Sequence, residues 1–226
     1  MRIDEFTFNG HKAIVIVPDN PNGKWVWKTE FFYAFDKAEQ ALLERGYTRV
    51  YYGVSDMYGS PKSVRKMHAF HKFVIEKYAL QTKATLFGFS RGGLYAFAYT
   101  LFYPEWVDKV YLDAPVLDLK SWPPKGSVER GQVFNEFSLS EETLQTYNAN
   151  PVDLLEEFFA LDIPVLLVAG DADEVVPLDE NGNKMIRYAL QTQADFRYII
   201  KSGCKHHPHS LDDVGEIVRF VERAKN

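Results

Sequence analysis

The segment Gly88-Phe89-Ser90-Arg91-Gly92 holds a serine between two glycines, where an apolar run meets a run with helical spacing. A tight strand-to-helix turn lifts a serine hydroxyl clear of a sheet, and the flanking glycines avoid clashes with the adjoining strand and helix. The backbone N–H of Arg91, at the helix start, would face a developing oxyanion. The pattern predicts a nucleophilic serine at position 90; the alternative is a structural glycine turn with an incidental serine.

A nucleophilic serine needs a base, and the base needs an acid that orients it. Carboxylates of the right type follow two of the apolar runs. Asp171 and Asp173 come after the run that ends at Ala169. We predict Asp173 as the acid; Asp171 is the rival, but we expect it to cap the turn through its side chain. Asp113 ends an earlier run and is an alternative position for the acid, but we expect it to be structural or to line a pocket because Asp173 lies in a better motif.

Histidines follow the last apolar run, at positions 206, 207 and 209. We predict His206 as the base, with His207 and then His209 as alternatives. In an extended segment His207 points away from His206, and Pro208 would begin a helix whose first turn contains His209. These histidines and Cys204 could also suggest a metal cluster, but we do not expect four ligands within six residues to converge on one ion. No metal site and no cofactor is predicted.

Short apolar runs alternate with longer amphipathic ones, which predicts βαβ crossovers. We expect an α/β fold with a mainly parallel, doubly wound sheet and helices on both faces. Strands are predicted at 13–17, 25–27, 49–54, 84–89, 109–113, 164–169 and 196–200, and helices at 30–45, 61–78, 92–103, 178–191 and 210–224. Residues 1–226 are predicted to form one domain. A small helical insertion at 116–160, before the strand that bears the acid, either covers the active site or packs over the sheet edge.

The chain resembles the α/β-hydrolase superfamily over nearly its whole length, and is most similar to small esterases of the dienelactone-hydrolase or prolyl-oligopeptidase-like type. The resemblance rests on the Ser90 motif, on Gly170-Asp171-Ala172-Asp173 followed by Pro177, and on the histidine loop. It implies the α/β-hydrolase fold, Asp173 as the acid, and a histidine placed shortly after the glycine at the strand end, which is His206 here.

The same resemblance implies a second oxyanion donor from the loop after the third strand. If 24–27 is that strand, the donor is the backbone of Lys28 or Thr29, acting with Arg91. Glu30 either orders this loop or caps the helix that follows.

Aromatic residues near the expected strand ends are candidates for substrate binding. We predict this role for Tyr58, Trp27 and Trp122, while Phe31 and Phe35, at helical spacing, are expected in the core. The predicted activity is that of a serine hydrolase that cleaves a carboxylic ester, with carbohydrate-linked or aromatic esters as options. The alternatives are a peptidase or amidase, a lyase or transferase on the same scaffold, and a non-catalytic binding protein with this fold.

The formal net charge of −5 argues against a nucleic-acid or anionic-membrane binder, which would need a basic face. The single cysteine cannot form an internal disulfide, and the N-terminus lacks the apolar core of a signal peptide. We therefore expect a cytoplasmic protein whose partner is a small-molecule ester. The sequence leaves the oligomeric state open.

Overall fold

The computed structural model describes residues 1–224 and shows an eight-stranded sheet between two layers of helices. The strands are β1 (Arg2–Phe8), β2 (His11–Val17), β3 (Trp25–Lys28), β4 (Thr48–Tyr52), β5 (Ala84–Phe89), β6 (Val107–Asp113), β7 (Val165–Gly170) and β8 (Phe196–Lys201). The α-helices are α1 (Lys37–Glu44), α2 (Pro61–Tyr78), α3 (Gly92–Phe102), α4 (Val128–Phe137), α5 (Glu141–Thr146), α6 (Leu155–Phe159), α7 (Gly182–Ala189) and α8 (Gly215–Glu222).

The strand order is β1-β2-β4-β3-β5-β6-β7-β8. The pairs β1/β2 and β2/β4 are antiparallel, and every pair from β4 to β8 is parallel. The carboxyl ends of β3, β5, β6, β7 and β8 therefore meet at one edge of the sheet, where open α/β sheets bind ligands. This confirms the predicted mainly parallel sheet.

Apolar side chains fill both faces of the sheet. On one face α2, α3, α6 and α7 pack against the strands, with Phe70, Phe97 and Met185 among the fully buried residues. On the other face α1 and α8 contribute Leu42 and Ile217. Strands buried on both faces are continuous apolar runs rather than alternating ones, which is why β5 and β7 were predicted correctly.

The first strand was missed by the sequence analysis. β1 pairs with β2 through a hairpin in which Asn9 and Gly10, with φ of +46° and +81°, connect Phe8 to His11. Asn-Gly is the residue pair that such two-residue turns favour, because both positions need a positive φ. The strand lies at the sheet edge and is largely exposed, so it lacks the apolar run by which the other strands were recognised.

The predicted helix at 30–45 is wrong in its first half. Phe31 and Phe35 have φ of +56° and +51°, values that no right-handed helix contains, and α1 begins only at Lys37. Carbonyl groups of this segment accept hydrogen bonds from two buried cationic side chains. Lys28 Nζ donates to the Ala34 carbonyl, and Arg49 Nη2 donates to the Phe32 carbonyl. The backbone is thus held in turns, although the spacing of apolar residues resembles a helix.

The last two helices start later than predicted, α7 at Gly182 and α8 at Gly215. The insertion at 116–160 contains α4, α5 and α6 and no strand, as expected. In residues 1–224, no helix combines the length and the apolar character needed to cross a membrane.

Candidate active site

Ser90 occupies the turn between β5 and α3 with a φ of +51°. A Cβ on Gly88 would lie 2.9 Å from Ala96 Cβ, and one on Gly92 would lie 2.9 Å from Thr29 Oγ1, so both positions require glycine. The Ser90 N–H donates to the Asp113 carbonyl at 2.9 Å, which fixes the turn to the end of β6. These contacts therefore hold Ser90 in its strained backbone conformation, as a nucleophile elbow requires.

The structure brings Ser90, His206 and Asp173 together in one chain of hydrogen bonds. His206 Nε2 lies 2.9 Å from Ser90 Oγ, and His206 Nδ1 lies 2.7 Å from Asp173 Oδ2. Because a carboxylate only accepts, Nδ1 carries the ring proton and Nε2 accepts from the serine hydroxyl. All three side chains are buried, so little solvent competes with these bonds.

Asp173 is held as an ionised acceptor. Burial raises the pKa of its carboxyl, but hydrogen bonds from His206 and from the backbone amides of Val176 and Val175 outweigh burial and keep that pKa below its usual value. Asp171, the rival acid, is exposed and accepts from the Gly203 N–H at 2.6 Å. It therefore joins the loops after β7 and β8, in keeping with its predicted role in the turn.

The predicted oxyanion donors need correction. The Thr29 N–H donates to the Phe87 carbonyl at 3.0 Å, so this amide is already used in the strand ladder. Lys28 is the last residue of β3 and therefore belongs to the strand rather than to the loop after it. Among residues 1–224, the amides of Arg91 and Glu30 donate to no protein acceptor. The Glu30 nitrogen would lie 3.5 Å from a Cβ on Gly92, which places it beside the elbow.

Glu30 links the loop after β3 to the elbow. Its Oε2 accepts from Arg91 Nε and Nη2 at 3.0 and 2.9 Å, and its Oε1 accepts from the Ser55 hydroxyl at 2.6 Å. Burial raises the pKa of Glu30, and the opposing effects of Arg91 and Ser55 do not cancel that rise. Of its two predicted roles, Glu30 has the one that orders the loop, since α1 begins well beyond it.

The three aromatic residues predicted to bind substrate lie in different places. Trp27 is fully buried between Trp25, Phe70 and Tyr99, so the prediction for Trp27 is wrong: it faces the core beneath the helices. Trp122 is half-buried and packs on Tyr58.

Tyr58 itself is buried, with its hydroxyl bonded to Gln132 of α4 and its ring 5.9 Å from the Arg91 guanidinium. It therefore lies between the elbow and the insertion. It also lines an apolar cavity of about 180 Å³ between α3 and the insertion, together with Leu94 and Phe137, and no residue of the Ser90–His206–Asp173 chain lines that cavity.

The expectation that Phe31 and Phe35 lie in the core is also wrong. Both are more than a third exposed. The Phe31 ring lies 5.3 Å from the guanidinium of Arg91, the residue after Ser90. The Phe35 ring stacks on His207, the residue after His206, with a centroid separation of 5.5 Å. Two accessible aromatic rings thus adjoin the candidate site. Their helical spacing in the sequence predicts core positions instead, which is why the sequence does not identify them as site residues.

A second histidine–carboxylate pair lies beside the first. His209 Nδ1 is 2.7 Å from Asp113 Oδ1, and Asp113 Oδ2 accepts from the Ser210 N–H at 2.8 Å. Asp113 also accepts from the Tyr111 hydroxyl and is fully buried. It is therefore structural, as expected, whereas His209 lies in the loop before α8 rather than in the first turn of that helix.

The three histidines converge, contrary to the geometry expected from the sequence. One ring nitrogen from each of His206, His207 and His209 lies within 4.8 Å of the others. The three ring centroids are 4.9 Å apart in every pair, with interplanar angles of 63°, 79° and 87°. Among the described residues, Cys204 is not part of this group, so the three histidines converge without the fourth candidate ligand.

Solved structures similar to this chain share its fold at low sequence identity. A puromycin-hydrolyzing peptidase of Mycobacterium tuberculosis matches with a TM-score of 0.73 and 16% identity over 96% of this chain and 37% of its own. Dipeptidyl peptidase 4 of Porphyromonas gingivalis matches with a TM-score of 0.66 and 14% identity over 91% of this chain and 32% of its own. The chain thus spans about a third of these peptidases.

A carboxylesterase of Lactobacillus plantarum matches with a TM-score of 0.65 and 17% identity, over 91% of this chain and 85% of its own. These likenesses confirm the α/β-hydrolase fold. A search of curated proteins found no match. Residues 54–225 match the profile of the prolyl oligopeptidase family, and that segment includes Ser90, Asp173 and His206. The chain belongs to the prolyl oligopeptidase family.

Proposed function

We propose that the chain is a serine hydrolase that cleaves a small carboxylic ester through an acyl-enzyme on Ser90. The observation that carries this proposal is the unbroken series of hydrogen bonds from Ser90 through His206 to Asp173. Ser90 Oγ attacks the ester carbonyl carbon while its proton passes to His206 Nε2. The alcohol leaves with that proton. Water then attacks the acyl-enzyme by the same route, which releases the acid and restores the serine.

The tetrahedral oxyanion would bind to the backbone N–H groups of Arg91 and Glu30. Both amides are free of protein acceptors in residues 1–224, and the ion pair between these two residues holds the loop after β3 against the elbow. Donors fixed in place before the reaction need no reorganisation as charge develops. Removal of one such donor typically costs about 10²–10³ in rate.

An aromatic group is the substrate feature that the surroundings of the site favour. Phe31 adjoins Arg91 and Phe35 adjoins His207, and both rings are accessible. Trp122 of the insertion and Tyr58, which contacts it, are secondary candidates. We propose an ester whose acyl or alcohol part is aromatic, ahead of one linked to a carbohydrate. Replacement of Phe31 or Phe35 by alanine should raise KM for an aromatic ester more than for its alkyl analogue.

The insertion at 116–160 is proposed to cover the site within a single domain. Buried residues of the insertion pack directly on Tyr58 and Leu94. Arg130 of α4 fixes the segment from inside, since its Nη1 donates to the carbonyls of Leu119 and Pro123. Arg130→Met should therefore loosen the cover and raise KM without changing the Ser90–His206 contact. An unchanged KM, with cleavage of 116–160 by chymotrypsin also unchanged, would contradict the covering role.

Peptide or amide hydrolysis is the second candidate, and the family match supports it as well as the ester. The neighbours that are peptidases share only about a third of their length with this chain, whereas the carboxylesterase shares 85% of its chain. That difference is why we place the ester first.

The deciding experiment compares substrates that share an acyl group. Hydrolysis of p-nitrophenyl acetate and p-nitroacetanilide, together with a set of aminoacyl p-nitroanilides, should be measured for the wild type and for Ser90→Ala. Rates are normalised to the uncatalysed reactions. We expect the ester to give the larger acceleration and Ser90→Ala to abolish it. A larger acceleration for the anilides would establish the peptidase, and activity that survives in Ser90→Ala would refute the whole proposal.

The proposed partner is a small-molecule ester and the proposed location is the cytoplasm. The single cysteine, which cannot form an internal disulfide, supports the location, and the net charge of −5 argues against a nucleic acid or an anionic membrane as partner. Fractionation of cells that express the chain at its native level would test the location, and recovery outside the cytoplasm would refute it.

A further inference from the structure

The loop after β8 contains more imidazole groups than a catalytic base requires. His206, His207 and His209 present one ring nitrogen each within 4.8 Å of one another, and their rings are inclined to each other by 63° to 87°. Three imidazoles bound to one tetrahedral zinc ion, with Zn–N bonds of about 2.0–2.1 Å, have ring centroids about 5 Å apart. The centroid separation of 4.9 Å here is close to that of a three-histidine site. The ring nitrogens lie within 4.8 Å of one another, so the rings must turn to bring these atoms to the separation of about 3.3 Å that one tetrahedral ion requires.

The groups behind the histidines are also those of a metal site. His206 Nδ1 donates to Asp173 and His209 Nδ1 donates to Asp113, at 2.7 Å in each case. Histidines that bind metals almost always donate their other ring N–H to a carboxylate, a backbone carbonyl or a water molecule, which fixes the tautomer and makes the free nitrogen more basic. In both residues the nitrogen left with a lone pair is Nε2. The two buried carboxylates also supply negative charge close to a bound cation.

His207 completes the set from the exposed side. In the part of the chain that the structure describes, its ring nitrogens bond to no protein group, and its ring is held by stacking on Phe35. An ion from solvent can therefore reach His207 first and then the two buried histidines. Imidazole ligands suit zinc, copper and nickel rather than magnesium or calcium.

We propose that His206, His207 and His209 bind one divalent transition-metal ion of the zinc class, and that this ion inhibits the enzyme reversibly. The Nε2 lone pair of His206 now accepts from the Ser90 hydroxyl at 2.9 Å. The same lone pair cannot bind a metal ion and take the serine proton. Metal binding and catalysis are therefore mutually exclusive. The inhibitory part rests on the function proposed above, whereas the binding part does not.

The test uses the full chain freed of metal with EDTA and then dialysed. Titration with zinc chloride by calorimetry should show one ion per chain. Zinc should suppress p-nitrophenyl acetate hydrolysis at matching concentrations, with recovery on addition of EDTA. His207→Gln should raise the zinc Kd and the inhibitory concentration together by about tenfold or more, since even outer partners of metal ligands contribute that much. Each variant is compared with its own rate in EDTA.

Three further variants make the outcome specific. Cys204→Ser and His11→Gln remove a nearby thiol and a remote histidine, and both should leave the zinc Kd unchanged. Ser90→Ala removes the competitor for His206 Nε2 and should bind zinc as tightly as the wild type or more tightly. Loss of binding in Cys204→Ser, or an unchanged Kd in His207→Gln, would overturn the site. Zinc binding by a chain that hydrolyses no ester or anilide would uphold the site and refute the proposed function instead.

Discussion

His209 Nδ1 lies 2.7 Å from Asp113 Oδ1, and this bond connects the loop that carries His206 to the end of β6. A second bond joins the Ser210 N–H to the same carboxylate. Since the Ser90 N–H also donates to the Asp113 carbonyl, one residue fixes the positions of both the serine and the histidine loop. Asp113 is in this sense a positioning residue for the candidate site.

Asp113→Asn should therefore lower both stability and turnover. The amide cannot accept from all the donors that face it, and the unmet hydrogen bonds of this buried carboxylate should cost about 3 kcal/mol. Urea unfolding measures that cost, and kcat for p-nitrophenyl acetate should fall as His206 loses its fixed position. Asp171→Asn, which alters an exposed carboxylate bonded to the Gly203 N–H, is the matched control and should cost less than about 1 kcal/mol. Equal effects of the two changes would contradict the assignment.

Glu30→Gln should remove a loss of stability at high pH and should lower activity. Because burial raises the pKa of Glu30 in the folded chain above its unfolded value, the folded state favours the protonated form. The stability that Glu30 contributes is therefore full at low pH and is lost as pH rises through its folded pKa. The glutamine variant lacks this loss, so its unfolding free energy relative to the wild type should be more favourable at pH 8 than at pH 5.

Its kcat should nevertheless fall, because Arg91 loses the charged partner that holds the loop after β3. Urea unfolding at the two pH values and kcat at pH 8 provide the comparison. A stability difference that does not change with pH would show that Glu30 does not titrate as expected.

Lys28 and Glu39 form an ion pair in which both side chains are about 1% exposed, and burial lowers the pKa of Lys28 and raises that of Glu39. Lys28→Met should destabilise the fold by about 3–5 kcal/mol, because it leaves an unpaired buried carboxyl. The double variant Lys28→Met with Glu39→Met should regain most of this loss. Urea unfolding of both single variants and the double variant forms the cycle, and additive costs would mean that the two side chains do not interact.

Much of the fold could be predicted because its signals are local. The predicted bounds of β5, α2 and α3 agree with the observed bounds within a residue or two. An apolar run predicts β5, a proline at the first helical position predicts the start of α2, and the glycine-flanked serine predicts the turn before α3; each of these signals lies in or next to the element itself. The hairpin at Asn9 and Gly10 carried an equally local signal that was overlooked.

The errors come from contacts between segments far apart in sequence. Phe31 and Phe35 have the spacing of a helix. The carbonyl groups of this segment instead accept hydrogen bonds from the side chains of Arg49 and Lys28. The Thr29 N–H cannot serve as an oxyanion donor because it donates to the Phe87 carbonyl of β5, and this pairing depends on the register between two strands that are distant in sequence. The convergence of the three histidines likewise depends on Asp113 and Asp173, which precede them by many residues.

His71 of α2 should make the fold sensitive to mild acid. Its Nε2 donates to the Thr82 carbonyl and its Nδ1 accepts from the Tyr99 hydroxyl, both at 2.7 Å, so the neutral ring is fully bonded. Burial lowers the pKa of His71 to about 4, the largest effect on this ring. Because the unfolded chain then binds the proton more tightly, stability is full above about pH 6.5 and declines as pH falls toward the folded pKa.

Between pH 7.5 and pH 5, this one residue should cost about 2 kcal/mol of unfolding free energy. His71→Gln keeps a donor for Thr82 and cannot titrate, so its unfolding free energy should fall less than that of the wild type over the same interval. Urea unfolding at the two pH values measures the difference, and an NMR titration of the ring provides the direct check. If the ring took up its proton near pH 6.5 in the folded chain, the acid sensitivity of the fold would have to come from other groups.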